Sequence, residues 1–301
     1  LLPRLPPLPD VSGSCGRGGE PIGEMPMSDQ PKNIMMPPPG EPVIPFVNWG
    51  GMLALYVKEV KRFFKVQLQT IWAPAFTTLL YLLIFTLALG GKDRMVMGYP
   101  FATFVAPGLI VMGMMNAAFA NSSFSLLVGK MQGTIIDYLM PPLSTAETLV
   151  ALIGASVTRA ILVGLALWVA MAFWPGVDVM PRHLPAVIWF GLMGAILLSL
   201  VGVLTSIWAD KFDHAAAVQN FVVGPLSLLS GTFYSVEVLH PTFQTISHAN
   251  PFFYVISGFR YGFLERSDSP VMVGAIVLLV LNLLLCWANY VALDRGWKIK
   301  S

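Results

Sequence analysis

The chain has 301 residues, of which 55% are hydrophobic and only 11% charged, and its net charge is +2. A soluble domain carries about 25% charged residues, so this composition excludes a soluble enzyme, and so small a net charge gives no footing on nucleic acid. The two cysteines, Cys15 and Cys286, form neither a metal-ligand spacing nor a disulfide framework.

Residues 1–47 read as a disordered proline-rich tail. Twelve of the 24 prolines fall within the first 45 residues, beside Gly13, Gly16, Gly18 and Gly19 and without an apolar run. Proline at that density blocks helix and sheet ladders, and too little apolar surface remains to offset chain entropy. No signal-peptide core precedes a cleavage site there. One reading of the first residue, Leu1, places the natural start at Met25, Met27 or Met35, with the preceding tail partly a translation artefact.

Residues 49–65 are the first ordered element expected. Lys58, Lys61, Arg62 and Lys65 recur at i, i+3, i+4 and i+7 on one helical face, and Leu53, Val57, Val60 and Phe64 lie on another. A basic amphipathic helix before an apolar run suits the anionic headgroup layer of a cytoplasmic leaflet. The plainer alternative is an ordinary solvated helix face.

From Val66 onward the chain contains uncharged runs at 66–91, 95–129, 160–177, 183–209, 214–236 and 269–293. About 20 apolar residues cross a bilayer core, so spans are expected at 68–90, 101–128, 149–174, 184–208, 217–235 and 271–293. The fold class is therefore an all-α polytopic membrane protein with six transmembrane helices. Placing the N-terminus inside puts Lys58, Lys61, Arg62, Lys65, Lys130, Lys211, Arg295, Lys298 and Lys300 on the cytoplasmic side. Only Lys92, Arg94, Arg182, Arg260 and Arg266 then lie outside, a bias that favours both termini in the cytoplasm.

Two connections are more than turns. In the inside one, 129–148, Gly133 and Pro141-Pro142 bound a stretch, Thr134 to Met140, with room for a short helix. Ser144 or Thr145 would cap the next span, and Glu147 completes a capping-box pattern with Ser144. The outside one, 236–270, is apolar through its middle, with short helices expected at 242–248 and 251–264 broken at Asn250-Pro251. It is either a re-entrant hairpin or an amphipathic helix on the outer leaflet.

Catalytic constellations are scarce. His183, His214, His240 and His248 share no ligand spacing, no nucleophile elbow occurs, and Gly129-Lys130 is not part of a phosphate-binding loop. Any ATP chemistry must therefore belong to another polypeptide. Arg159, about two turns into the third span, is either a snorkelling structural arginine or one that faces a dimer interface or pathway. Asn116, Asn121, Ser122 and Ser123 form a polar patch that lines a pathway or bonds across helices. Gly258 and Gly262 have the spacing that permits close helix contact, with Arg260 between them. An intramembrane lipid-modifying enzyme built on His240, His248 and Arg260 is one alternative, and an ATPase-independent channel or carrier is another.

Four features carry a family resemblance: the basic helix 49–65, the G-T-x-x-D-x-L-x-x-P-L-S-like stretch 133–144, the sixth-span tail, and the S-G-x-F-Y, N-P-x-x-Y and G-F-R-Y-G-F-L elements outside. Over about 48–301 the chain resembles the membrane-spanning permease subunits of bacterial ABC transporters of the type-2 export class, in the inner-membrane transport permease subgroup. The diproline Pro141-Pro142 and the long tail depart from that pattern. The resemblance implies a transmembrane domain at 48–301 and a coupling helix at 130–140, with Gln132, Thr134, Asp137, Tyr138 and Leu139 touching an ATPase. It further implies an interfacial helix at 49–65 and an outside gate or re-entrant element with Asn250, Pro251 and Arg260. Two permeases and two ATPases would form the unit in a bacterial inner membrane, with ATP and magnesium on the partner and no cofactor or metal on this chain. The cargo implied is a lipid, glycan or amphiphilic drug-like molecule moving outward.

Overall fold

The structure is a computed structural model that describes residues 47–90, 95–236 and 240–298; of Gly90, Leu89, Asp137 and Leu139 only the backbone is described. The tail expected at 1–47 lies almost wholly outside the described residues, as do Cys15, Lys92, Arg94 and Lys300.

Helix α1 (Trp49–Phe64) opens where the Asn48 side chain accepts a hydrogen bond from the Gly51 amide at 2.9 Å. The face it packs is Leu55, Glu59 and Phe63, and Tyr56 bonds Thr158 at 2.9 Å. Leu53 and Phe64, on the apolar face expected to suit the headgroup layer, are exposed. α1 is apolar on more than one side, so docking against a neighbouring span selects the face.

The first long apolar helix runs Leu68–Ala88, with α2 (Ala73–Phe85) between π-helical turns at Leu68–Trp72 and Thr86–Gly90. A two-residue hairpin follows, β1 (Met95–Val96) against β2 (Tyr99–Pro100), its turn made by Met97 and Gly98 with φ of 53° and 86°. Two positive φ values in a row are the geometry of the tight hairpin turn that matches strand twist.

Helix α3 (Phe101–Met131) is the axis of the bundle, buried along nearly its whole length. At 31 residues it is about 46 Å long, more than a bilayer core of roughly 30 Å. It ends when Gly133 adopts a φ of +70° and the Thr134 amide bonds the Gly129 carbonyl at 2.9 Å, the left-handed stop that glycine allows. Around α3 stand α5 (Thr145–Ala172), α6 (Leu184–Trp208) and α10 (Pro251–Leu264), and α11 (Val271–Asp294) covers α6 and α10. Asn282 and Asn289 of α11 donate to the Met193 and Leu200 carbonyls of α6, each at 3.1 Å. Such bonds tie helices where apolar packing alone has no hydrophobic drive.

Among the described residues, five helices are long and apolar enough to cross a membrane. The fifth segment in chain order is different: α7 (Phe212–Val218), a π-helical turn at Gln219–Val223 and α8 (Gly224–Leu229) form one continuous helix over 212–229. This helix starts about five residues before the span expected at 217–235 and is not one of the five. The helix begins under polar Asp213 and His214, and Gly231 with φ +80° ends the segment before Tyr234.

The break at Asn250-Pro251 falls where expected. α9 (Pro241–Ala249) and α10 meet at Asn250, whose buried side chain caps α10 by accepting from the Phe252 amide at 3.0 Å. Its amide donates to the Leu226 carbonyl at 2.7 Å, fastening the break to α8. Gly258 and Gly262 both face α6: added β-carbons would lie 2.3 Å from Phe190 and 2.4 Å from Val187. The glycine pair is what lets α10 enter the bundle.

Candidate functional site

The residues that the sequence reading expects on the cytoplasmic side converge. A cleft of about 870 Å³ is lined from α1 by Lys58, Lys61, Arg62 and Lys65, and from the end of α3 and its following turn by Gln132, Thr134 and Tyr138. The side chains of Asp137 and Leu139 lie outside the described residues. The coupling helix expected over 130–140 is shorter than that. Lys130 and Met131 complete α3, and only α4 (Ile136–Leu139), a single turn, is helical. Gly133 ends α3 late and the diproline stops the chain early, so one turn is all that fits between them.

The centre of the site is a residue that the sequence reading did not single out. Glu59 is buried to a side-chain exposure of 1% and accepts three hydrogen bonds. Arg62 donates at 2.7 Å, Tyr138 Oη at 2.8 Å and Ser125 Oγ at 2.9 Å, so one carboxylate joins α1, α3 and the α4 turn. A carboxylate taken out of water costs several kcal/mol unless it is paired and bonded in this way. Burial, and then the charge and hydrogen bond of Glu59, push the Tyr138 phenol well above its ordinary pKa, so it stays a donor. The Lys58 ammonium stands 3.9 Å from the centre of the Tyr138 ring.

Arg62 corrects the basic face. It turns inward, bonding the Asn121 carbonyl at 2.9 Å as well as Glu59, while Lys58, Lys61 and Lys65 remain exposed. Asn121 passes the connection to Ser156 of α5 at 3.1 Å. The capping box is present: Ser144 accepts from the Glu147 amide and Glu147 from the Ser144 amide, while the Asn48 amide donates to Glu147 at 2.7 Å. The starts of α1 and α5 are thereby tied to one carboxylate. Lys130 bonds the Ile207 and Ala209 carbonyls, closing the end of α6.

At the other end of the bundle Arg260 has no exposed surface. It donates to Asp268 at 2.7 Å and to the Gly231 carbonyl at 2.7 Å, and its guanidinium lies 4.0 Å from the centre of the Phe104 ring. Asp268, also absent from the sequence reading, accepts from Ser235 too. His240 bonds Thr242 and His248 meets Phe253 edge-on, so neither joins Arg260 in a reactive cluster. Pro251 is the first residue of α10.

Arg159 points toward the start of the first apolar helix. It is buried in the middle of α5, where one terminal nitrogen donates to the Thr70 carbonyl at 3.4 Å. Of the polar patch, Asn116 accepts from Gln219 at 3.0 Å and Asn121 bonds α5, while Ser122 and Ser123 bond carbonyls of their own helix.

The family model for the ABC-2 type transporter matches residues 51–264. The inner membrane transport permease YadH of Escherichia coli strain K12 is 33% identical over 259 residues, which cover 84% of this chain and 98% of YadH. Nodulation protein J of Rhizobium leguminosarum bv. viciae is 26% identical over 244 residues, 78% of this chain and 89% of that protein.

Proposed function

We propose a function from one premise: the chain belongs to the ABC-2 type transporter family, and it is a multi-pass transport permease. On this reading it is the membrane-spanning subunit of an exporter in a bacterial inner membrane, driven by a separate ATP-binding subunit. Two copies of the chain and two of the ATPase form the working unit, and ATP and magnesium are held by the ATPase. The continuous helix 212–229, about 27 Å long, supplies a sixth crossing, and both termini face the cytoplasm in accord with the basic-residue bias. The pair α9–α10 is the outside re-entrant element. The cargo is a lipid, glycan or amphiphilic molecule moved outward.

The observation that supports this reading best is the Glu59 junction. The α4 turn is too short to be a lever by itself, but Tyr138, Glu59 and Arg62 fasten it to α1 and α3, and Asn121 carries the connection to α5. A push on the turn is therefore delivered to two spans together. The exposed Lys58, Lys61 and Lys65 beside Gln132 and Thr134 give an ATPase a basic, polar surface on which to seat. ATP shifts the spans outward only to the extent that the ATP-bound motor binds the outward-open form better.

The test is purification of the tagged chain in mild detergent from its own host, with co-purifying proteins identified and ATP hydrolysis assayed. The expected result is a stoichiometric ATPase whose association falls at least tenfold in Asp137→Arg. A clean homo-oligomer without an ATPase would overturn the reading.

A further inference from the structure

We propose that a cleft in the bundle binds the anionic head group, a phosphate or a carboxylate, of an amphiphile, with Arg159 as its counter-charge. The cleft, about 640 Å³, lies between α2, α3 and the helix 212–229. Gln69, Asn116, Arg159 and Gln219 supply its polar side, and Leu109 and Met112 are part of its apolar wall.

The charge count around Arg159 is unbalanced. Arg62, a second cation near Arg159, holds the Glu59 carboxylate for itself at 2.7 Å. Among the described residues no carboxylate forms an ion pair with Arg159, and its Nε has no hydrogen-bond partner. A buried arginine so placed costs several kcal/mol, and an entering anion relieves that cost. The guanidinium fork fits the paired oxygens of a phosphate or carboxylate.

A second unpaired atom lies in the same cleft. Gln219 gives its amide hydrogen to Asn116, and among the described residues its Oε1 has no donor. The cleft thus offers a cationic donor and a neutral acceptor, which suits an acidic group that carries a hydroxyl or amide close by. Gln69 and Gln219 both sit on π-helical turns, a distortion that recurs at functional sites. The apolar wall accommodates the start of a tail. Naming this ligand as cargo rests on the permease reading; the binding site does not.

The experiment uses the full chain, with whatever co-purifies, in nanodiscs of neutral phosphatidylcholine and without ATP. Radiolabelled dodecyl phosphate is the probe, and uncharged dodecyl alcohol is the comparator. The wild type is expected to bind the phosphate at least tenfold more tightly than the alcohol. Arg159→Gln is expected to lose that preference. Gln219→Glu, which puts a negative charge into the cleft and leaves Arg159 in place, is expected to weaken phosphate binding at least tenfold. Where Arg159→Gln does not elute at the native volume, Gln219→Glu decides alone. Equal binding of phosphate and alcohol by the wild type, or unchanged binding in the natively eluting variants, would overturn the site.

Competition then assigns the source. Displacement by phosphatidylglycerol in the disc identifies a bilayer lipid, displacement by inorganic phosphate a free anion, and resistance to both an amphiphilic cargo, all three on the same anionic site. Binding without any recruited ATPase would refute the permease reading alone. A recruited ATPase without binding would refute the site alone.

Discussion

Each end of the bundle hides an ion pair, and the two are built differently. At the end expected to face outward, called outer for short, Arg260 and Asp268 have side-chain exposures of 0% and 1%, and Arg260 is enclosed further by a carbonyl and an aromatic face. At the opposite end, called inner for short, Glu59 is as deeply buried, but Arg62 is 29% exposed at the edge of a cleft where cations predominate. The outer pair closes one loop against another and against α3. The inner pair is a joint that three elements share and that water reaches. A sealed pair serves to fix a shape, whereas a joint at a wet edge is suited to passing on a displacement.

The largest expected effect follows from breaking the sealed pair on one side. Arg260→Met or Asp268→Leu alone leaves an uncompensated charge with no path to water, and each is expected to cost about 3–5 kcal/mol. The measurement is the melting temperature of detergent-solubilised protein followed by size exclusion. The double variant, with no charge left, is expected to recover most of the loss. Single variants that melt with the wild type would remove the distinction between the two ends.

Glu59→Gln tests the inner joint and is expected to cost less, about 1–3 kcal/mol, because Arg62 can turn toward the cleft and be hydrated. The side chain keeps its shape, so α1 stays docked, but the single carboxylate shared by α1, α3 and α4 is gone. Under the permease reading, ATP hydrolysis by the complex then proceeds with little transport. A variant that transports and hydrolyses normally would show that the joint carries no load.

The two ends also differ in how far they can be read from sequence. Family, helical class and the Asn250-Pro251 break were all legible, because charges collect at span ends and proline and asparagine mark helix boundaries. The capping box at Ser144 and Glu147 was legible for the same local reason. Arg260 stood out as a lone charge in an apolar stretch, but its partner Asp268 lies past the end of α10 among other polar loop residues. Glu59 was hidden because it sits between Lys58, Lys61 and Arg62, where counting charges describes a basic face. Nothing local to α1 says that Leu55, Glu59 and Phe63 are the residues that dock, since that choice is made by α3, α4 and α5. One signal was available: a single acidic residue in a basic helix, three residues before an arginine, is spaced for a partner within its own helix.

The smallest effect comes from the last member of the joint. Tyr138→Phe removes a hydroxyl and keeps the ring beneath Lys58, so it is expected to cost about 1 kcal/mol near neutral pH. Burial first, and then Glu59, raise the phenol above its ordinary pKa of about 10. The folded protein therefore holds this proton more tightly than the unfolded chain does. Its contribution is complete below about pH 10, the unfolded value, and is lost as pH rises from there toward the raised folded value. The melting difference between wild type and Tyr138→Phe should be flat from about pH 7 to 9 and should shrink above about pH 10. Glu59→Gln removes the second cause and leaves burial, so in that background the phenol is raised less and the shrinkage is shallower. A difference that stayed flat up to about pH 11 would mean that the phenol titrates alike folded and unfolded, and the α4 turn would then be free of Glu59.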